Sequence, residues 1–138
     1  MNIIGFETAK LAKEKGFSEK SFYYYDNNGK AGVNFEISSF ISSTAVITYL
    51  DFKEDFNKIK DHFSAPYMVE LMDWLREKHN IIIELSISAI NTTENKVCYT
   101  YSIYKDITFV KKQSYLDSYL DYYECLENAL RKSLQLIN

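Results

Sequence analysis

Residues 66–87 read PYMVELMDWLREKHNIIIELSI, and within this stretch the chain passes from one hydrophobic period to another. Met68, Leu71, Met72 and Leu75 recur at three and four residues, the spacing of a helix that buries one face. Trp74 and Tyr67 widen that face. Pro66 suits the first helical turn, where its missing N–H leaves no bond unmade. Arg76, Lys78 and His79 fall in the last turn, where positive charge meets the negative end of the helix dipole. Asn80 tolerates the left-handed backbone that closes a helix. The chain then switches at once to Ile81-Ile82-Ile83-Glu84-Leu85-Ser86-Ile87, β-branched and extended in character.

Downstream, Ile90 ends this strand and Asn91-Thr92-Thr93-Glu94-Asn95 supplies a loop. Val97, Tyr99, Tyr101 and Ile103 alternate with Cys98, Thr100 and Ser102, which predicts a second strand paired antiparallel with the first. Ile107 to Val110 extends the sheet. Asp121 and Glu124 have capping-box spacing at the start of a final helix. Its apolar stripe is Tyr123, Leu126, Leu130, Leu134 and Ile137.

Upstream, Phe6 to Lys15 is rich in helix formers, and Gly16-Phe17 is a stop signal in which the glycine turns left-handed and the next apolar residue folds back. Ser21 to Asp26 and the alternating Val33, Phe35 and Ile37 read as two strands joined through Asn27-Asn28-Gly29. Ser38 to Thr44 reads as loop and Ala45 to Phe52 as a further strand. Asp51 to Phe63 is open between a short helix, on the spacing of Phe52, Phe56, Ile59 and Phe63, and a packed irregular segment. The order is roughly α-β-β-(β)-α-β-β-α. It predicts an α+β fold, a mostly antiparallel sheet with helices packed on one face, in a single domain spanning 1–138.

With 138 residues, 46% hydrophobic and 25% charged, the chain can close a core without disulfide or metal. Twelve Tyr and nine Phe stand out; core packing on strands and helix faces is the favoured reading, with a Tyr-rich contact surface as the other. No apolar run is long enough for a membrane helix, and no charged-then-apolar leader follows Met1. Two cysteines far apart in sequence, Cys98 and Cys125, then suggest reduced thiols in a cytoplasmic protein.

No motif for chemistry emerges. The two histidines, His62 and His79, stand in no metal-ligand spacing; a solvated histidine and a helix-end histidine are the ordinary explanations. Cys98 reads as strand packing. Cys125 sits early in a helix, where a thiol can be activated, yet no partner for it is visible. Gly29 and Gly32 flank Lys30 in a predicted hairpin and have neither phosphate-loop spacing. The carboxylate groups Asp51, Glu54 and Asp55, and Asp117 and Asp121, read as solvated faces. The expectation is therefore no enzyme, no cofactor and no metal. Lys10, Lys13, Lys15 and Lys20 form the best nucleic-acid candidate. Glu7, Glu14 and Glu19 lie among them, Lys10 and Glu14 are spaced for an ion pair, and the net charge of −3 disfavours a polyanion partner. Trp74 is the one candidate for partner contact, against the more ordinary role of core edge.

Ser64-Ala65-Pro66, Asp73-Trp74-Leu75-Arg76-Glu77-Lys78-His79-Asn80-Ile81, the tyrosine-led Tyr122-Tyr123-Glu124-Cys125-Leu126-Glu127-Asn128-Ala129-Leu130 and the opening Ala9 to Phe17 together resemble a family of small uncharacterised proteins carried by phages and integrated elements of gut bacteria. Tyr67 and Met68 depart from the polar residues that often follow the proline there. The resemblance implies a phage or mobile-element origin and assigns no site residue. The expected function is a non-enzymatic accessory protein that binds a host or phage protein, possible as a homo-oligomer. A small nucleic-acid-binding module is the alternative.

Overall fold

The computed structural model describes residues 2–33, 40–41, 44–45, 53–91, 96–112 and 119–138. The elements are α1 (Phe6–Glu14), β1 (Tyr23–Asp26), β2 (Ala31–Val33), β3 (Phe40–Ile41), β4 (Thr44–Ala45), a 3₁₀ turn (Phe56–Lys58), β5 (His62–Ser64), α2 (Met68–His79), β6 (Ile81–Asn91), β7 (Lys96–Lys105), β8 (Thr108–Lys112) and α3 (Tyr122–Leu134). The fold is α+β, in roughly the order the sequence predicts. Its described strands form two three-stranded antiparallel sheets, β2-β1-β5 and β6-β7-β8, and a small β3-β4 pair.

The larger sheet carries the core. Ile83, Leu85 and Ile87 of β6 stand opposite Ile103, Tyr101 and Tyr99 of β7 on one face. Helices α2 and α3 pack against these two strands, and α1 packs on α3 and on β5 of the smaller sheet. Leu71, Leu75, Ile81, Ile103, Leu130 and Leu134 are completely or almost completely buried. At about 25 cal/mol per Å² of apolar area removed from water, each such side chain stabilises the fold by roughly 2 kcal/mol before entropy is counted. Strand β7 is less one-sided than its alternation predicts: Thr100 and Ser102 are buried as well, because this is the central strand of its sheet. The Thr100 hydroxyl meets Ser86 Oγ at 3.2 Å.

The helix ends follow local chemistry. Beyond α1, the Phe17 N–H donates to Ala12 O at 2.9 Å and the Gly16 N–H to Lys13 O at 3.1 Å, with Gly16 at φ 85°. That paired closure requires a residue without Cβ and delivers Phe17 to the core. At the end of α2, Asn80 adopts φ 52° and starts β6 without a connecting loop. Asp121 caps α3, its Oδ1 accepting from the Glu124 N–H at 2.8 Å.

Several expectations shift. Helix α2 begins at Met68, so Pro66 precedes the cap instead of entering the first turn; its carbonyl accepts from the Ile4 N–H at 3.1 Å. Over the described residues 53–63 the segment read as open between a helix and a packed irregular stretch does not form an α-helix. Glu54 instead forms a backbone bridge to Ser21, one 3₁₀ turn follows, and Phe63 lies in β5. A strand partner for β1 wins over the helical period. Part of the expected loop, Phe40–Ile41 with Thr44, pairs as β3-β4. Phe35, Ile37, residues 46–52 and Asp117 lie outside the described residues. Ile107 belongs to the turn before β8, not to the strand.

Candidate functional site

The residues that sequence reading singles out for chemistry are dispersed and mostly used in structure. Trp74 is only 6% exposed. Its ring packs edge-to-face with Phe17 at 5.3 Å and with His79 at 4.5 Å. It reaches an open groove of about 360 Å³ together with Phe17, beneath charged side chains that include Lys20, Glu19 and Glu77. Burial and the nearby Lys105 ammonium lower the His79 pKa below its ordinary value. His62 is half-buried in β5 instead of solvated, its ring against Tyr24 at 5.0 Å and its Nδ1 3.0 Å from Lys60 O. Cys125 is fully buried, and burial, with Glu124 adding a smaller effect, pushes its thiol up to about 11. Such a thiol holds its proton at neutral pH. Among the described residues no group of three or more His, Cys, Asp or Glu side chains is arranged to hold a metal ion, and no helix is long and apolar enough to cross a membrane.

Two of the candidate carboxylates, Asp55 and Asp121, have structural partners. Asp55 is buried, caps the 3₁₀ turn through the Asn57 N–H at 3.1 Å and lies 3.5 Å from Lys58 Nζ. Asp121 is the α3 cap. The lysines of α1 are similarly engaged. Lys10 pairs with Glu7 at 2.8 Å, not with Glu14, and sits over the Phe6 ring. Lys13 Nζ donates to His62 O at 2.8 Å. Lys15 Nζ donates to Ile137 O at 2.5 Å, and Lys105 Nζ to Leu136 O at 2.8 Å, so two ammonium groups close the C-terminal turn after α3. Two of the four lysines of the candidate basic face, Lys13 and Lys15, thus hold backbone in place, and a third, Lys10, is paired with Glu7.

Among the described residues, aromatic and apolar side chains gather on another part of the surface. Two shallow depressions meet at Asn2 and Met68. One, about 370 Å³, is lined by Ile3, Tyr23 and Tyr67. The other, about 240 Å³, is lined by Val69, Met72, Tyr122, Tyr123 and Leu126. Tyr122 and Tyr123 are 42% and 43% exposed and stand edge-to-face at 5.3 Å; Tyr122 also meets Tyr99 at 5.6 Å. Tyr23 and Tyr67 pair at 5.6 Å. Their contact and burial raise the Tyr67 hydroxyl above the usual tyrosine range, so it stays a neutral donor and acceptor. Tyr123 is the residue of the predicted α3 stripe that is not buried. In the first turn the helix has passed the edge of the core, and the stripe continues through Cys125, Ala129 and Ser133 instead. No local signal in the sequence brings Tyr23, Tyr67, Tyr122 and Tyr123 to one side of the molecule; the Ile3–Tyr67 bridge and the α2–α3 packing do so.

Comparison with known protein families, with curated proteins and with solved structures gives no match.

Proposed function

We propose that this is a non-enzymatic accessory protein that acts by binding another protein, and that its contact surface is the tyrosine and methionine strip formed by Tyr23, Tyr67, Met68, Val69, Tyr122 and Tyr123. The observation that carries this reading is the joining of two shallow depressions, lined mainly by tyrosine, methionine and aliphatic residues, into one strip beside the exposed Tyr122 and Tyr123. Tyrosine offers a large contact area, a hydroxyl for hydrogen bonding and little rotamer entropy to lose; methionine adapts its shape. The resemblance of the Ser64–Ile81 and Tyr122–Leu130 segments to phage-borne proteins supports a phage or mobile-element origin, and with it a host or phage protein as the partner. The engagement of Lys10, Lys13 and Lys15 within the fold weighs against a nucleic-acid module.

The test compares the wild-type chain with a Tyr122→Ser, Tyr123→Ser variant in quantitative capture from lysate of a gut-bacterial host. A protein enriched by the wild type and lost with the variant supports the reading. Identical capture profiles refute it. A salt-dependent affinity for duplex DNA or RNA, with no protein captured, would favour the alternative module.

A further inference from the structure

We propose that two copies of this chain associate about a two-fold axis along the open edge of β6, each copy inserting Ile87 into a slot beneath α2 of the other. This goes beyond the tyrosine strip, which it adjoins at Val69 and Met72, and is centred on the strand edge instead. Strand β6 pairs with β7 on one side, and among the described residues no strand pairs with its other side. Sheet edges are ordinarily blunted by charge, proline or short length. β6 is eleven residues long, and its one charged residue is Glu84.

The edge carries both halves of a self-complementary contact. The first half is a slot of about 160 Å³ between Val69, Met72, Asp73 and Arg76 of α2 and the three successive residues Ile81, Ile82 and Ile83. Successive strand residues point to opposite faces, so a depression bordered by all three opens on the edge of the strand, where its backbone is accessible. The second half is Ile87. It lies on the core-facing side in line with Ile83 and Leu85, yet is 62% exposed. Antiparallel pairing with a two-fold axis at Leu85 sets Ile87 of each copy opposite Ile83 of the other, at the slot. The same register sets Glu84 opposite Ser86, so no like charges meet. An axis at Glu84 would oppose the two carboxylates. The irregularity between Ile87 and Ala89 ends the regular edge just past the inserted residue. Each contact is made twice, as an isologous dimer demands, and the two sheets become one of six strands.

Sedimentation velocity of the full chain from micromolar to submillimolar concentration tests this. The expected result is a concentration-dependent shift from monomer to dimer mass. Ile87→Lys alters an exposed side chain and should weaken the dimer roughly tenfold or more with the circular dichroism unchanged. Val69→Glu, on the helix side of the slot, should do the same and serves if the strand variant misfolds. The Tyr122→Ser, Tyr123→Ser variant should remain dimeric, which separates failure here from failure of the partner surface. A wild-type chain that stays monomeric at every concentration overturns the proposal. So does a dimer that both slot variants leave intact.

Discussion

Replacing Glu127 with alanine should cost about 2–4 kcal/mol of folding free energy, although the residue lies on α3 and belongs to no recognisable local motif. Helix α1 has Gly5 at its N-cap, a residue with no side chain to cap it. Glu127 Oε1 supplies the missing acceptor, taking a hydrogen bond from the Gly5 N–H at 2.9 Å and one from the Thr8 hydroxyl. It also places a carboxylate at the positive end of the α1 dipole, worth about 0.3–1 kcal/mol. Thr8 is fully buried, so without Glu127 its hydroxyl has no acceptor. A hydrogen bond to a charged group contributes about 1.5–3 kcal/mol, and an orphaned buried hydroxyl costs about 1–3 kcal/mol. Against this, Glu127 Oε2 is buried without a hydrogen-bond partner, and removing it returns part of a desolvation cost. The balance remains a substantial share of the roughly 5–15 kcal/mol that a domain holds. Urea unfolding followed by fluorescence of Trp74, the one tryptophan, measures it. In a Thr8→Val background the Glu127→Ala cost should shrink by about 1 kcal/mol, since one of the two bonds is already gone. A Glu127→Ala variant within about 0.5 kcal/mol of wild type, or strictly additive effects in that cycle, would refute the reasoning.

Three further outcomes are expected. Ile107 sits at φ 66° and is 93% exposed, so Ile107→Gly should stabilise the β7–β8 turn by about 1 kcal/mol in thermal or urea unfolding; a loss of stability contradicts the strain. Cys125 should resist iodoacetamide at about pH 8 in the folded protein and react only on unfolding, because it is buried and its thiol is pushed up to about 11; rapid labelling in native buffer contradicts this. The His79 pKa is lowered on folding, so the unfolded chain binds the proton more tightly. The stability from the neutral ring is present above the ordinary value of 6.5 and is lost as pH falls through the lowered folded value. The stability difference between wild type and His79→Gln should therefore shrink on acidification across that window, and a difference independent of pH counts against burial as the cause.

Much of the fold is legible in the chain because the signals are local. Gly16-Phe17, Asn80 and Asp121 each decide a helix end through a backbone conformation or a single hydrogen bond, and the structure uses all three. The Asp51–Phe63 segment is where local reading leaves two alternatives open. Its Phe spacing fits a helix, but the bridge from Glu54 to Ser21 and the β1–β5 pairing take the same backbone, and tertiary pairing outweighs a weak propensity. Glu127 lies beyond such reading, since the groups it holds are more than a hundred positions away in the chain. The lysines of α1 read as a charged face in sequence. Only the three-dimensional position of the His62 and Ile137 carbonyls reveals that Lys13 and the adjoining Lys15 serve as backbone clamps.

Both surface proposals arise from one geometric fact. Hydrophobic periodicity shows which direction a side chain points, but not how far the opposing layer extends. The core-facing stripe of β6 runs on to Ile87 and that of α3 begins at Tyr123, and both residues are substantially exposed. They overrun the core at the same end of the sheet, since Ile87 is the β-partner of Tyr99, Tyr99 meets Tyr122, and Tyr122 meets Tyr123. An apolar stripe that ended with its cover would leave polar residues at these positions, as Glu84 and Ser86 are on the opposite face of β6. Among the described residues, the apolar pattern here continues past the last covering side chain. That is the arrangement expected where the missing cover is supplied by another polypeptide.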